Sequence, residues 1–507
     1  MLLGAGSALG FEPFALWPLT LLAGAALLAL LQAAPTRLQA AMLGWCFGLG
    51  QFAAGLNWIT TAFTYQAAMP VWLGWLAVVL VAVYLAVYPA LAGLAAWHAR
   101  SRTAALVLAL AGAWIITEWL RGWVFTGFPW NPLGAVLLGP FEQPGAARAL
   151  PWLGTYALSG LAVLLAGLWL AGLRHFRTDR RAWILLTLPL LVQLGPTLIP
   201  PAEEAPSKVP FALVQPNIPQ DQLNDPAKFT ENFQRLAGLV PPPAAGQSAV
   251  LLWPESGIAD YLRSGYPAQY YLDTYGADPA LARARLGQLI GPDRLMLAGT
   301  VDLELRGERA VGARNAVTAI NGEGTLTASY AKAHLVPYGE YLPMHALLTP
   351  LGLNRLVPGD FDFWSGPGPQ TLSLRGFGRA GVQICYDIIF PGHVIDAAQR
   401  PDYLFNPSND GWYGSWGPPQ HLALARMRAI EEGLPVLRST TTGISAVVDA
   451  NGVVLQSVPI HSAGVLLGRI PKAHPPTLFA RTGNLLSLGW ALLLLAASLV
   501  ALRRTPG

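Results

Sequence analysis

Long apolar runs separated by short polar turns fill the first two hundred residues and return at the end of the chain. Because about 20 apolar residues cross the hydrocarbon core of a bilayer as a helix, such runs predict membrane-spanning helices. Seven runs qualify or nearly do: Phe14–Leu31, Leu38–Ile59, Val71–Trp97, Ala104–Leu120, Leu153–Leu173, Trp183–Ile199 and Leu485–Leu502. Met1–Leu9 is apolar but too short to cross unaided, and it lacks the basic start of a signal peptide. The pattern predicts a polytopic helical bundle of seven or eight spans.

The pattern changes at Lys208, where short β-type runs alternate with turns and helical stretches. Several runs are almost continuously apolar, which is typical of strands covered on both faces. The predicted strands are Val209–Val214, Ala249–Trp253, Leu295–Thr300, Arg314–Ile320, Ala380–Ile384, Tyr403–Asn406 and Ser445–Val448, and the predicted helices are Pro226–Leu239, Pro279–Ile290 and His421–Glu432. We therefore expect N-terminal membrane helices over 1–200, an α/β domain over 207–475, and a last membrane helix over 484–503.

Positive charge predicts the orientation of these parts. Lys and Arg concentrate in the cytoplasmic loops of membrane proteins. Arginines follow alternate spans here, at Arg37, at Arg100 and Arg102, at Arg174, Arg177, Arg180 and Arg181, and at Arg503 and Arg504. We therefore expect the α/β domain outside the cytoplasm, on the periplasmic face of a bacterial inner membrane. The net charge of +4 is accounted for by these loops, so nucleic-acid binding is not predicted.

The two cysteines lie in different settings. Cys46 belongs to an apolar run, whereas Cys385 lies in a more polar region, so the sequence does not indicate a disulfide framework. His334, His393 and His421 are scattered, and a zinc site needs closer grouping. The sequence predicts neither a metal site nor a cofactor.

Three predicted strand ends carry polar residues. Glu255 follows a buried strand and a proline, Lys332 lies in YAKAHLVPYGE, and Cys385 ends an apolar strand in GVQICYD. Taken singly they can be a capping glutamate, a surface lysine and a buried thiol, which is the usual fate of a free cysteine. Their joint occurrence favours chemistry.

The segments WPE, KAHLVPYGE and ICY together resemble the carbon-nitrogen hydrolase (nitrilase) superfamily. With the flanking spans, the chain is similar to one membrane branch of it, the apolipoprotein N-acyltransferases. Further segments carry the resemblance: FEPFALWP, GLNWI, TEWLRGW with TGFPW, LVQPNIPQ, SNDGWYG, GPPQH with ARMRAIE, and ARTGN. The resemblance implies a nitrilase-like αββα sandwich for the extramembrane domain.

The resemblance implies a catalytic triad of Glu255, Lys332 and Cys385. The thiolate is the attacking form, and its pKa falls beside cations, so we expect a lowered pKa for Cys385. Glu255 would act as general base and Lys332 as a stabiliser of the oxyanion. The implied donor is a membrane phospholipid that gives its sn-1 acyl chain. The implied acceptor is the α-amine of the N-terminal diacylglyceryl-cysteine of a lipoprotein.

Four further residues are candidates for support of the triad. Glu340 matches a family glutamate and is expected to orient Lys332 or Glu255. Asn315 is expected either to form a hydrogen bond near the site or to be an ordinary strand residue. Tyr386 directly follows the nucleophile, and Asp387 stands where the family usually has Glu, so its effect stays open.

Aromatic residues supply candidates for substrate or lid contacts, namely Trp412, Tyr413 and Trp364, with close packing as the competing interpretation. Glu118 and Arg121 begin an aromatic-rich membrane loop. They form either a helix-end ion pair in an interfacial belt or part of a platform for a lipid headgroup.

Two other hypotheses compete with acyl transfer. A membrane-tethered amidase acting on a small molecule would need one anchoring helix rather than many spans. A transporter or lipid-binding protein with a degenerate domain would have no need for an intact triad.

Overall fold

The computed structural model describes residues 1–65, 70–198, 206–243, 246, 248–344, 346, 350 and 362–503. The helices outside the α/β domain follow the apolar runs of the sequence. They are α1 Leu2–Ala8, α2 Trp17–Ala33, α3 Arg37–Gly55, α4 Ile59–Ala62, α5 Trp72–Leu85, α6 Val87–Ala96, α7 Thr103–Arg121, α8 Leu150–His175 and α9 Ala182–Leu194. After the domain come α14 Leu478–Thr482 and α15 Leu485–Arg503, and α10 to α13 lie within it.

Four described helical segments are long and apolar enough to cross a membrane: Trp72–Ala99, Thr103–Arg121, Ala146–His175 and Leu485–Arg503. Trp17–Ala33 and Ala182–Leu198 are apolar but shorter. Each predicted span thus contains a helix, while length and composition support four of the seven as full spans. The predicted end of one span at Ile199 and the flanking Arg504 lie outside the described residues.

The apolar start of the chain forms the seven-residue helix α1, which packs against α3. Close approach of the two backbones depends on glycine, because a Cβ at Gly4 would lie 1.9 Å from the carbonyl oxygen of Phe47 and one at Gly50 would lie 2.1 Å from that of Met1. The segment is therefore an integral part of the bundle, although it is too short to cross alone.

The α/β domain contains two six-stranded sheets in the order β12-β1-β2-β3-β4-β5 and β11-β10-β9-β8-β7-β6. The strands are β1 Pro210–Gln215, β2 Ala249–Leu252, β3 Arg294–Arg306, β4 Arg309–Asn321, β5 Leu326–Ala331, β6 Thr371–Leu374, β7 Gly378–Val382, β8 Tyr403–Ser408, β9 Val436–Thr440, β10 Ser445–Val448, β11 Val454–Val458 and β12 Gly464–Arg469. Parallel pairing joins β1 to β2 to β3 and β7 to β8 to β9. All seven predicted strands are present.

The sheets pack face to face and helices cover their outer faces. Leu213 and Leu252 of the first sheet share one buried core with Val382 and Leu404 of the second, and Ser439 donates a hydrogen bond to the Val214 carbonyl at 2.7 Å. The helices are α10 Gln220–Leu223, α11 Phe229–Leu239, α12 Pro279–Ile290 and α13 Gly417–Glu432. Helices α11 and α12 pack on the first sheet, and α13 packs beside the second. The domain is an αββα sandwich.

Candidate active site

Three chain segments that leave strands bring Glu255, Lys332 and Cys385 together. Glu255 follows β2, Lys332 follows β5, and Cys385 follows β7. All three side chains are buried, and the Lys332 Nζ lies 3.5 Å from the Glu255 Oε1. The Cys385 thiol interacts electrostatically with both Glu255 and Lys332, so carboxylate, ammonium and thiol share one enclosed site.

Glu340 and Asn315 complete the polar cluster. The Lys332 Nζ lies 2.9 Å from each carboxylate oxygen of Glu340. The Asn315 amide nitrogen donates to both Glu255 and Glu340, at 2.7 and 2.9 Å. The Val336 backbone N–H donates to the Glu340 carboxylate at 2.8 Å, which anchors the loop that carries Glu340. Lys332 is therefore held between two carboxylates, and a single amide links them.

The electrostatics favour a charged lysine and a basic carboxylate. Burial raises the pKa of Glu255, and the charge of Glu340 adds to that rise, while Lys332 and Asn315 oppose it. Burial lowers the pKa of Lys332, but the carboxylates of Glu340 and Glu255 outweigh this and hold the pKa above its ordinary value. The second oxygen of Glu255 accepts the Asn409 backbone N–H at 2.7 Å, which fixes the carboxylate in place.

The environment of Cys385 corrects one expectation from the sequence. Burial and the negative charge of Glu255 raise the pKa of the thiol to about 12, and Lys332 offsets only part of this rise. The predicted lowering is therefore wrong: desolvation of the thiolate exceeds the attraction of the neighbouring cation. The thiol is protonated at rest, so a base has to remove its proton during attack.

The backbone at Cys385 is strained. Its φ is +47°, in the left-handed region that residues with a Cβ rarely adopt. The residue begins a short 3₁₀ helix, Cys385–Ile389. Such outliers concentrate at functional sites, and this one turns the thiol sharply off the end of its strand.

Asp387 organises the turn around Cys385. Its carboxylate accepts hydrogen bonds from the backbone N–H of His334 at 2.7 Å, the backbone N–H of Ile384 at 3.1 Å, and the Tyr330 hydroxyl at 3.0 Å. It therefore joins the segment after Lys332 to the segment before the thiol. The shorter aspartate side chain is accommodated by these direct contacts.

The aromatic candidates occupy different positions. The Tyr413 hydroxyl lies 3.2 Å from the Cys385 Sγ and is buried, so Tyr413 belongs to the wall of the site rather than to an exposed lid. Trp412 is partly buried and packs edge-on against Tyr65, with ring centroids 5.7 Å apart. Trp364 is 40% exposed, and its backbone N–H donates to the Ala313 carbonyl.

Behind the thiol lies a buried network that the sequence analysis missed. His421 contacts the Cys385 carbonyl oxygen at 3.1 Å through Nε2 and Asp410 at 3.1 Å through Nδ1. Arg438 donates to both oxygens of Asp410, at 2.7 and 2.6 Å. The donor atoms of Cys385, Asp410 and His421 lie within 4.8 Å of one another, contrary to the expectation that no such group exists. Because Arg438 already neutralises Asp410, the group fits an ion pair better than a metal ion.

Glu118 and Arg121 brace the aromatic membrane loop from inside. They lie 3.8 Å apart and both are buried. Glu118 accepts the Leu133 backbone N–H at 2.8 Å, and Arg121 donates to the Trp130 carbonyl at 2.7 Å. The loop also supplies the Gly127 carbonyl that accepts the Tyr386 hydroxyl at 3.1 Å. The ion-pair interpretation therefore holds, but burial keeps both side chains from a lipid headgroup.

Two side chains of α13 tie the sandwich to the bundle. The Gln420 amide oxygen accepts the indole N–H groups of Trp58 and Trp130 at 3.2 and 2.8 Å. The Gln420 amide nitrogen donates to the backbone carbonyls of Glu12 and of Gly55, the last residue of α3. Glu431 accepts both the backbone N–H and the hydroxyl of Thr155, at the beginning of α8. Neither contact shows in the sequence, because each joins residues more than 250 positions apart.

Comparison with known proteins identifies the family of this chain. Residues 3–168 match the family model described as apolipoprotein N-acyltransferase N-terminal domain, and residues 211–474 match carbon-nitrogen hydrolase. Curated apolipoprotein N-acyltransferases of Bradyrhizobium diazoefficiens and Rhodopseudomonas palustris are 35% and 33% identical to this chain. The alignments cover 99% and 100% of it, and 93% and 95% of the relatives. The solved structure of Saccharomyces cerevisiae Nit3, a nitrilase-superfamily member, is 18% identical and aligns over 56% of this chain and 96% of its own, with a TM-score of 0.36. This chain belongs to the apolipoprotein N-acyltransferase family, and its candidate active site lies in a carbon-nitrogen hydrolase domain.

Proposed function

We propose that the protein transfers the sn-1 acyl chain of a phospholipid, through a thioester on Cys385, to the α-amine of the N-terminal diacylglyceryl-cysteine of apolipoproteins. The observation that carries the proposal is the buried group of Glu255, Lys332 and Cys385 in a chain that aligns from end to end with curated apolipoprotein N-acyltransferases. A lone thiol would support much less.

Acylation begins with proton transfer. Glu255 takes the thiol proton as the Cys385 sulfur attacks the ester carbonyl, because the thiol is protonated at rest and the raised pKa of Glu255 makes it a stronger base. The new S–C bond forms, the ester C–O bond breaks, and the proton on Glu255 passes to the departing alkoxide. Lysophospholipid leaves.

The tetrahedral intermediate carries a negative oxygen that needs stabilising donors. Lys332 provides an ammonium held by Glu340, and the backbone N–H after Cys385, that of Tyr386, is a second candidate. Asn315 keeps the two carboxylates in fixed relation, so the Lys332 ammonium stays bonded to Glu340 and within 3.5 Å of Glu255.

The second half-reaction determines the product. An amine that attacks the thioester forms an amide, gives its proton to Glu255 and expels the Cys385 thiolate, which regains that proton. Water would give hydrolysis instead. A membrane-embedded bundle beside the site favours the amine of a lipid-anchored acceptor, since both substrates reach the site laterally through the bilayer.

We also propose that the bundle crosses the inner membrane seven or eight times, with the sandwich (207–475) on the periplasmic face between 1–200 and 484–503. Arginines of alternate loops gather at one end of the bundle: Arg174 contacts Gln32 and Thr103, and Arg102 contacts the Ala501 carbonyl. The other end of α8 contacts the sandwich through Thr155. The positive-inside bias puts the arginine end in the cytoplasm and the sandwich outside it.

One reaction mixture tests the activity. The protein is incubated with a phospholipid fluorescent in its sn-1 chain and a diacylated lipopeptide, beside the Cys385→Ala variant. Amide-linked acyl transfer by the unaltered protein alone supports the proposal. Release of free fatty acid instead points to a hydrolase, and transfer that survives in Cys385→Ala contradicts the nucleophile assignment.

The orientation has a separate test. Alkaline phosphatase, which is active only outside the cytoplasm, is fused after Asp179 and after Lys208. We expect activity from the second fusion only, and the reverse result would invert the topology.

A further inference from the structure

Tyr413 places a hydroxyl directly on the candidate nucleophile. The Oη lies 3.2 Å from the Cys385 Sγ, and both side chains are buried. Tyr413 belongs to the short 3₁₀ helix Asp410–Tyr413, whose first residue is held by Arg438. The segment that supplies the hydroxyl is thus held by Arg438, and not only by the contact between Tyr413 and the thiol.

The direction of this hydrogen bond is settled once the thiol loses its proton. In the resting pair either atom can donate. After Glu255 has taken the thiol proton the sulfur has no hydrogen, so the phenol is the donor. Burial and the neighbouring thiol raise the pKa of Tyr413 well above its ordinary value, so the phenol keeps its proton and remains able to donate.

Two tryptophans from outside the sandwich fix the tyrosine ring. Trp58 packs edge-on against Tyr413 with centroids 4.8 Å apart, and Trp130 does so at 5.5 Å. The N–H groups of both indoles donate hydrogen bonds to the Gln420 amide oxygen. With two rings against it, Tyr413 cannot swing away from Cys385 without disturbing the junction with the bundle.

We propose that the Tyr413 hydroxyl is a catalytic hydrogen-bond donor to the Cys385 sulfur, which stabilises the thiolate each time it forms. This inference rests on the proposed role of Cys385 as nucleophile. It assigns the reaction a group beyond Glu255 and Lys332, and it gives the bundle a part in chemistry through the rings that orient that group.

The donor acts at two points of the cycle. During acylation the S–H proton moves to Glu255 while the S–C bond forms, and the Tyr413 O–H stabilises the charge that develops on sulfur. During aminolysis the S–C bond breaks, the amine proton moves to Glu255, and the same O–H receives the departing thiolate. The phenol proton stays on Tyr413 throughout, so the balance of each step is unchanged.

The test removes one oxygen. Tyr413→Phe is compared with Tyr403→Phe, a matched control in which the lost hydroxyl is also buried but donates to the Phe377 carbonyl at 3.3 Å. A Cys46→Ser background leaves Cys385 as the remaining thiol. Acyl-enzyme formation in a single turnover and alkylation by iodoacetamide across a pH series are measured for each protein.

We expect Tyr413→Phe to slow both reactions by about 10- to 100-fold, the usual effect of losing a hydrogen bond to a charged group. The pH needed for a given alkylation rate should rise by about one unit or more, a change that loose packing alone would not produce. Tyr403→Phe should keep the rates of the parent. 3-Fluorotyrosine at position 413, which keeps the shape and donates more strongly, should keep or raise them.

The outcomes distinguish failure of the proposed function from failure of the role assigned to Tyr413. If the parent forms no acyl-enzyme, the proposed function fails. If the parent forms it and Tyr413→Phe matches the parent, only the role of Tyr413 is overturned. Should Tyr413→Phe fold poorly, the fluorotyrosine protein decides alone, and a loss of rate there would contradict the donor.

Discussion

Replacing Glu340 by Gln tests how the charged site is held together. The carboxylate of Glu340 faces donors only: the Lys332 ammonium, the Asn315 amide and the Val336 backbone N–H. Gln keeps the size of the side chain but turns one acceptor oxygen into an NH₂ donor. One of these buried donors then faces the NH₂ group of the new glutamine, and Lys332 keeps Glu255 as its remaining carboxylate partner.

The magnitude follows from the contacts that are lost. A hydrogen bond to a charged group contributes about 1.5–3 kcal/mol, and the 2.9 Å bonds to Lys332 are of this kind. If that contact holds the ammonium in position for the oxyanion, acylation slows by roughly 10- to 100-fold. The charge of Glu340 also raises the pKa of Glu255, so its removal lowers that pKa and moves the acid limb of the pH-rate profile to lower pH.

The assay is single-turnover acyl-enzyme formation from a fluorescent phospholipid between pH 4 and 9. Glu304→Gln is the matched control, because it makes the same change in the half-exposed ion pair with Arg314 and should leave the rate unchanged. A Glu340→Gln rate within about threefold of the parent, or an acid limb displaced to higher pH, would refute the reasoning.

Three shorter predictions follow from the same site. In the unaltered protein, the acylation rate should fall at low pH as Glu255 takes up a proton, and the raised pKa of Glu255 places this loss above pH 4.5. Stopped-flow profiles should show no second rise in rate below about pH 10, because the pKa of Cys385 is about 12. Asp387→Glu should overpack a fully buried position, lower the free energy of unfolding by about 1–3 kcal/mol and lower the thermal midpoint. An unchanged midpoint would show that the site has room for the longer side chain. Burial raises the pKa of Asp410, but Arg438 and His421 outweigh it and hold this pKa at about 2, below the ordinary 3.8. Roughly 2 kcal/mol of stability is therefore present above pH 4 and is lost as the pH falls through 2. Asp410→Asn should remove this dependence in acid-denaturation curves.

Hydrophobic patterning predicted elements that are buried throughout and helices that bury one face. Strand β8 is buried along its whole length, whereas helix α12 buries Ala282, Leu286 and Ile290. Strand β9 was missed because Arg438 interrupts its apolar run, and the buried Asp410 and Asn406 that accept its hydrogen bonds lie far from it in the sequence. Strand β11 was missed because three of its five residues are exposed.

Some residues of the candidate site could likewise be predicted from the sequence, and others could not. Glu255 and Cys385 stand out in the sequence because each follows an apolar strand. Lys332 follows the partly exposed strand β5, which was not predicted, and it was singled out by the resemblance of its segment to the family. The contact of Tyr413 with the thiol was not predictable, since an aromatic residue in a glycine-rich turn is compatible with packing or with chemistry. The pKa of Cys385 was wrongly predicted because the sequence shows neighbouring charges but not the depth of burial that opposes them.

The contacts of the Gln420 amide bear on whether the sandwich can be separated from the helical bundle. All four hydrogen bonds of that side chain go to residues before position 131. A sandwich expressed without its helices would lose all four of these hydrogen bonds and expose the Gln420 amide to water, and Tyr413 would lose both tryptophans that flank it. Proteolytic release of the sandwich should therefore yield an inactive fragment rather than a free hydrolase, so the reactive cysteine is available only where lipid is at hand.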